Sequence, residues 1–305
     1  MINSITKLST AIKLLLAITC LSVSSSLWAD VCDLKSITTE PDKVKISLYP
    51  EKISKIDEVK NTFEMTYYLL YEYNIPEVLG RDCHLTKKEI PGNIYNPYLE
   101  IMKSENDEYL SEFQIYLLES SLQVERKMRS TIINAFNFKA FPFDQQSFEV
   151  QIMALYPSET LTIDPLPIDS DSFTNMAVEG WSKKGTNNKK EKEAWDQVEY
   201  DKVIFSFDLK RKSLSIFIRI VLPILIIITL GWITTLIPIT EFETIIQLQS
   251  ATLIALIAFN IIIEDKIPNL SYVTLTDIII TIGFLSNFLL IVTSIIRKKF
   301  KNSYT

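Results

Sequence analysis

One stripe of residues in the C-terminal third of the chain combines a carboxylate, an amide and several apolar side chains. Its members recur every three or four residues, close to the 3.6 residues of an α-helical turn, and are Glu243, Gln247, Ala251, Ile254, Ala258 and Ile261. Around a shared axis, copies of this stripe would form a carboxylate ring that attracts cations, an amide ring that replaces part of an ion's hydration shell, and a dry constriction that gates by dewetting. The chemistry that such rings would support is cation conduction.

The same periodicity fits a helix that only packs against its neighbours, with Glu243 solvated beyond its end. Gln249, Ser250 and Thr252 are also polar, so the stripe is not unique on this helix. Periodicity alone leaves the pore helix and the packing helix as equal alternatives.

Three long uncharged segments must position this stripe. They run over Ile220–Ile237, Thr244–Ile263 and Ile278–Ile296, each about twenty residues and long enough to cross a bilayer as a helix. We therefore predict a transmembrane domain over residues 213–300, with helices at about 214–238, 243–263 and 271–296.

The preceding part of the chain has the pattern of a β-sandwich. From Val44 to about Lys212, short apolar runs alternate with turn residues, and the period-2 pattern of Val203–Leu209 indicates a half-buried strand. The one helix-like stretch is Ile53–Val59, and the lysines of Lys183–Lys190 indicate a solvated loop. We predict a β-sandwich domain over residues 30–212.

The N-terminus is typical of a signal peptide over residues 1–29. Lys7 and Lys13 precede an apolar run that ends near Ala29, although an uncleaved anchor helix remains an alternative. Export would allow a disulfide between Cys32 and Cys83, a pairing that spacing alone leaves open.

Export also predicts the topology: a multi-pass membrane protein with the sandwich periplasmic or extracellular. The basic tail at residues 297–305 would then be cytoplasmic, as the positive-inside rule prefers. The basic run Lys210-Arg211-Lys212, just before the first span, opposes this orientation.

Composition argues against several other functions. The net charge of −6 and the exported location disfavour nucleic acid binding. His84 is the only histidine, so neither a histidine-based catalytic site nor a structural metal site is expected, and no cofactor is implied. The sequence contains neither a nucleophile elbow nor a phosphate-binding loop, so an exported, membrane-tethered enzyme is not favoured.

Four motifs, in order, resemble the pentameric ligand-gated ion channels, the Cys-loop receptor superfamily, and in particular its prokaryotic members. The motifs are Phe141-Pro142-Phe143-Asp144-Gln145-Gln146, Arg211 twelve residues before Pro223, the run from Ala251 through Asn260, and Pro268. The resemblance extends from about Val44 to Phe300.

This resemblance implies a homopentamer in a bacterial inner membrane, with a central pore lined by the second membrane helix and a ligand-binding sandwich at residues 30–212. Ligand binding between neighbouring sandwiches would tilt the helices. The resemblance assigns the role of coupling the sandwich to the helices to Phe141, Pro142, Phe143, Asp144, Arg211 and Pro268. In the family, the loop aspartate and the pre-membrane arginine form an ion pair, so the resemblance assigns that role to Asp144 and Arg211.

The chain departs from the family pattern at several positions. The two cysteines that name the superfamily do not flank the signature loop, and tryptophans of the family are replaced by Tyr73 and Tyr95. A pore-helix histidine of one proton-gated member is Leu256 here. The family's fourth membrane helix has no counterpart before Thr305.

The resemblance implies a ligand pocket among aromatic side chains. Tyr95 and Tyr156 occupy the positions of two binding loops, and Trp195 and Tyr200 lie in the counterpart of the capping hairpin. These rings could surround an ammonium group by cation–π contact, or could serve only in packing.

The sequence thus predicts a subunit of a ligand-gated, cation-selective channel. Its partners would be identical subunits, membrane lipid, monovalent cations and an unidentified small-molecule or proton agonist. The alternative is a non-conducting or truncated accessory subunit that binds ligand or assembles with other subunits.

Overall fold

The computed structural model of the chain describes residues 40–75, 83–92, 94–118, 120–264 and 270–303. The predicted signal peptide, Cys32 and Pro268 lie outside these ranges. Twelve strands and three long helices lie within them. The strands are β1 (Lys43–Asp57), β2 (Thr62–Asn74), β3 (Cys83–Lys87), β4 (Leu99–Met102), β5 (Ser104–Tyr109), β6 (Phe113–Leu117), β7 (Ser121–Ile133), β8 (Gln145–Pro157), β9 (Thr162–Pro165), β10 (Ala177–Val178), β11 (Trp181–Trp195) and β12 (Val198–Arg211).

The strands form two sheets that enclose the core. One follows the order β10-β1-β2-β7-β6-β3, with β5 on β7 and β9 on β1, and the other follows β11-β12-β8-β4. The core side chains come from alternate positions, as in Val203, Phe205, Phe207 and Leu209 of β12, which are fully buried. This is the predicted β-sandwich.

Two local predictions in the sandwich are wrong. Ile53–Val59 is not helical, because β1 continues to Asp57 and pairs with β2, with irregularities after Pro50 and Ser54 that break the strand period. The lysine-rich segment is not a loop but the edge strand β11. Three of its lysines, Lys189, Lys190 and Lys192, are paired with carboxylates, for example Lys189 with Glu191 at 2.7 Å. The polarity of this segment therefore reflects exposure on an edge strand.

A short helix that the sequence analysis did not predict, α1 (Ser170–Asn175), precedes β10. The carboxylate of Asp169 caps it by accepting a hydrogen bond from the backbone N–H of Ser172 at 2.7 Å.

Three helices follow the sandwich, and each is long and apolar enough to cross a membrane. The first, α2, is the helical segment Leu214–Leu236. It contains a π-helical stretch at Phe217–Val221, next to Pro223, which lacks a backbone donor. The others are α3 (Phe242–Glu264) and α4 (Leu275–Ser303).

The helices pack together around Ile224, Leu256, Ile263 and Ile280. This bundle, together with the sandwich, confirms the predicted fold class of a β domain followed by three apolar helices. The number of subunits in the assembly stays a prediction.

The start of α3 lies at the bundle end that is distant from the sandwich. The ammonium group of Lys298, near the end of α4, lies 4.7 Å from the ring of Phe242. The basic tail and Glu243 therefore share one end of the bundle, whereas α2 and α4 both begin at the sandwich.

Candidate functional site

The six residues predicted to line a pore all lie on the exposed side of α3. Glu243, Gln247, Ala251, Ile254, Ala258 and Ile261 are each exposed in the single chain. Ile254 is 66% exposed and Ile261 is 57% exposed, although both are large and apolar. The stripe therefore has no partner among the described residues of its own chain.

The opposite side of α3 faces the other two helices. Its buried residues are Ile245, Gln249, Thr252, Leu256 and Ile263. At about 100° per residue, the centres of the buried and exposed stripes are about 180° apart. Packing within the chain thus directs the graded stripe away from α2 and α4.

Two polar residues that made the stripe ambiguous belong to the buried side. The amide nitrogen of Gln249 donates to Thr234 Oγ1 at 2.9 Å and to Ser294 Oγ at 3.0 Å. The hydroxyl of Thr252 donates to Asn287 Oδ1 at 2.7 Å. These bonds join α3 to both neighbouring helices, and they explain why polar side chains occur away from the exposed stripe.

The loop Phe141–Asp144 and the end of β12 are joined by an ion pair. Arg211 Nε lies 2.7 Å from Asp144 Oδ1, and Arg211 Nη2 lies 3.1 Å from Asp144 Oδ2. Arg211 Nη1 also lies 2.5 Å from Glu58 Oε1, in the turn after β1. One guanidinium therefore connects three segments of the sandwich.

Aromatic and amide groups surround this ion pair. The guanidinium carbon of Arg211 lies 4.2 Å from the ring centre of Trp181 and 5.3 Å from that of Phe141. Gln146 donates to Asp144 Oδ2 at 2.5 Å. Burial by itself would lower the pKa of Arg211, but the hydrogen bonds and charges of Asp144 and Glu58 outweigh it, so the pKa is raised.

This loop and the residues just before it, Phe138–Ala140, contact the membrane helices and the segment that leads into α4. Phe138 N donates to Tyr272 Oη at 3.0 Å, and Leu275 N donates to the carbonyl of Lys139 at 3.0 Å. Thr276 Oγ1 donates to the carbonyl of Phe141 at 3.1 Å.

The ring of Phe143 lies 6.2 Å from that of Phe217 in α2. The loop thus contacts the beginnings of both α2 and α4.

Sequence reasoning missed three members of this junction. Glu58 fell in the stretch interpreted as helical, and neither Trp181 nor Tyr272 was assigned to the junction. No spacing signal relates Glu58 to Arg211, because their contact depends on the course of β1 and β12.

The four predicted ligand residues form two separate aromatic pairs. The ring centres of Tyr95 and Tyr156 are 6.0 Å apart, and those of Tyr98 and Tyr156 are 6.1 Å apart. The rings of Trp195 and Tyr200 are 5.7 Å apart, at the tip of the β11–β12 hairpin. In the described part of the chain, ring contacts occur within each pair and not between them.

A tyrosine hydroxyl fixes the position of the first pair. Tyr73 Oη accepts a hydrogen bond from Tyr95 N at 3.2 Å, and burial raises the pKa of Tyr73 to about 12. Burial likewise raises the pKa of Tyr95 to about 12, with a further contribution from Tyr156. Both phenols are therefore neutral hydrogen-bonding groups near neutral pH.

Cys83 is disulfide-bonded. The chain's other cysteines, Cys20 and Cys32, precede residue 40, so the partner lies outside the described residues. The predicted pairing with Cys32 stays a prediction.

The chain is similar in sequence to a known ion channel. A proton-gated ion channel from Gloeobacter violaceus is 24% identical over 268 residues, which cover 84% of this chain and 73% of that protein. No protein-family model matches the chain. The similarity spans both the sandwich and the helices, so it supports the whole two-part architecture.

Proposed function

We propose that the chain is a subunit of a ligand-gated, cation-selective ion channel whose pore is lined by α3. The observation that carries the proposal is the unpartnered stripe of α3, which faces away from the rest of the bundle along the whole helix. The exposed side of α3 is acidic at one end and apolar at the other. Such a side is better suited to line an aqueous pore than to contact the uniformly apolar lipid chains.

The similarity to a proton-gated ion channel supports the same function. On this proposal, identical subunits, most simply five, bring their α3 helices around one axis. Glu243 then forms a ring at the end of the bundle away from the sandwich, and Ile254 to Ile261 form the dry part of the pore.

The junction supplies a route from ligand to pore. A change in the sandwich moves β12 and the Phe141–Asp144 loop together because Arg211 binds Asp144. Through the loop's contacts with Thr276 and Phe217, it also moves the starts of α4 and α2. The agonist is either a small molecule bound by the sandwich or the proton.

The proposal is tested by reconstituting the full-length protein into liposomes or planar bilayers. We expect cation-selective currents that depend on pH or on an added agonist. Protein that assembles and binds ligand, yet carries no current under any screened condition, would favour the accessory-subunit alternative.

A further inference from the structure

The buried side of α3 and its exposed side are almost interchangeable in composition. The buried positions are Ile245, Gln249, Thr252, Leu256 and Ile263. The residues two places before them are Glu243, Gln247, Ser250, Ile254 and Ile261. A shift of two residues turns a helix by about 200°, so the two sets occupy opposite sides. Amide matches amide, hydroxyl matches hydroxyl and aliphatic matches aliphatic, and only Glu243 and Ile245 differ in kind.

Aliphatic packing alone does not decide which of the two sides faces α2 and α4. Leu256 and Ile263 belong to one apolar cluster with Ile224 of α2 and Ile280 of α4. Such contacts have no direction, so the isoleucines of the exposed side could take the same places. In a membrane, lipid is as apolar as these side chains, and hydrogen bonds between helices provide specificity instead. The rotation of α3 must therefore be set by its polar side chains.

Gln249 joins α3 to both neighbouring helices at once. Its Nε2 donates to Thr234 Oγ1 of α2 at 2.9 Å and to Ser294 Oγ of α4 at 3.0 Å, and the residue is 0% exposed. Its Oε1 is also buried and has no hydrogen-bond partner within the described part of the chain. The two donor bonds are thus the ones that hold the amide, and losing them would leave it unsatisfied in an apolar bundle.

The opposite rotation carries a penalty at one position. If Gln247 took the place of Gln249, Glu243 would take the place of Ile245, which is 1% exposed. A carboxylate without a cationic partner is far less favourable in an apolar site than an isoleucine. Glu243 therefore opposes the rotation that would bury it.

We propose that Gln249 is a positioning residue that sets the rotation of α3, while Glu243 excludes the opposite rotation. Single polar residues at buried positions specify register in coiled coils by the same physics. The inference rests on the proposed function only for its consequence, since this rotation decides which side chains line the pore. The rotation itself can be measured without a current.

Disulfide formation between introduced cysteines reports the rotation in the full-length protein. A Cβ at Gly283 of α4 would lie 3.4 Å from Leu256 Cδ1. The pair Leu256→Cys with Gly283→Cys therefore reports the native rotation, and Ile254→Cys with Gly283→Cys reports the opposite one. Membranes are oxidised mildly, and the yield of each disulfide is measured by mass spectrometry of its peptides.

Without further substitution, we expect the 256–283 disulfide and not the 254–283 disulfide. Gln249→Met keeps an unbranched side chain but removes both donors, and it leaves Gln247 as the one glutamine on α3. It should lower the yield of the first disulfide several-fold and produce the second. Gln247→Met is the matched control, because it makes the same substitution on the exposed side and should leave the native disulfide unchanged.

Ser294→Ala removes one of the two acceptors, so it should give an intermediate fall and provides the decisive comparison if Gln249→Met does not fold. A native disulfide at the full yield in both variants would overturn the proposal. A fall without the second disulfide would show a loosened helix rather than a rotated one, and would overturn it as well. A wild type that forms the native disulfide but carries no current would contradict the proposed function alone.

Discussion

The guanidinium of Arg211 binds the carboxylate of Asp144 through two hydrogen bonds, and both side chains are almost completely buried. The pair connects the end of β12, which leads into α2, with the loop that contacts α4. We expect the stability of the fold and, on the proposed function, the coupling between the sandwich and the helices to depend on this ion pair.

Replacing Asp144 by Asn should therefore destabilise the fold. It leaves the buried Arg211 charge with only Glu58 as an ionic partner, and breaking a buried pair from one side costs about 3–5 kcal/mol. Denaturant or thermal unfolding of the solubilised protein measures the loss. Glu58→Gln removes the more exposed carboxylate and should cost clearly less, so equal losses for both variants would contradict this account.

Replacing Glu243 by Gln should reduce selectivity for cations. The change removes a carboxylate from the exposed stripe of α3 while keeping its shape, and the attraction between a pore-mouth ring and cations depends on that charge. In a salt gradient, the reversal potential should shift towards the equilibrium potential of the anion. The cation-to-anion permeability ratio calculated from it should fall several-fold.

Glu241→Gln is the control for Glu243, because Glu241 is also an exposed carboxylate at the same end of the bundle but lies away from the stripe. It should leave the reversal potential unchanged. If Glu243→Gln also left it unchanged, the assignment of Glu243 to the pore would be wrong.

Replacing Gly231 by Ala should disturb the contacts among the three helices. An added Cβ would lie 3.0 Å from Asn287 Oδ1, the atom that accepts the hydrogen bond from Thr252. Overpacking of this kind costs roughly 1–3 kcal/mol. A lowered melting temperature is expected, with partial recovery when Asn287→Ala is added.

Gly185→Ala provides the comparison for Gly231, since a Cβ there meets nothing within 4 Å. A similar loss of stability from both glycine variants would show that crowding against Asn287 is not the cause.

The free energy of unfolding of the wild type should depend on pH because of Glu125. Burial raises the pKa of this carboxyl above its ordinary value, although the charge of His84 opposes the shift. The native state then holds the proton more tightly than the unfolded state. The contribution of Glu125 is complete below its unfolded pKa of about 4.3 and is lost as pH rises through the native value.

Glu125→Gln removes this dependence. The variant should gain stability relative to the wild type between pH 4 and pH 7, as measured by urea unfolding at several pH values. A difference that stays constant over this range would exclude a raised native pKa at Glu125.

The two parts of the fold were predictable because their patterns are regular. The alternation in β12 and the uncharged lengths of the three spans each follow from the period of one element and the solvent around it. The prediction failed at β1, where irregular pairing interrupts the strand period, and at β11, where lysines on an edge strand resemble a loop.

The site was less predictable, since its contacts join residues that are distant in sequence. Gln249 looked like a possible competitor for the exposed stripe until its contacts with Thr234 and Ser294 placed it on the buried side.

The short segment from Phe138 to Asp144 has a mechanical consequence. It is bonded to Tyr272, Leu275 and Thr276 on one side and to Arg211 on the other. On the proposed function, a displacement of the sandwich would therefore reach the beginnings of α2 and α4 together. The helix α3 is hydrogen-bonded to both α2 and α4. It would therefore respond to a movement of the sandwich mainly by tilting or rotating as one unit.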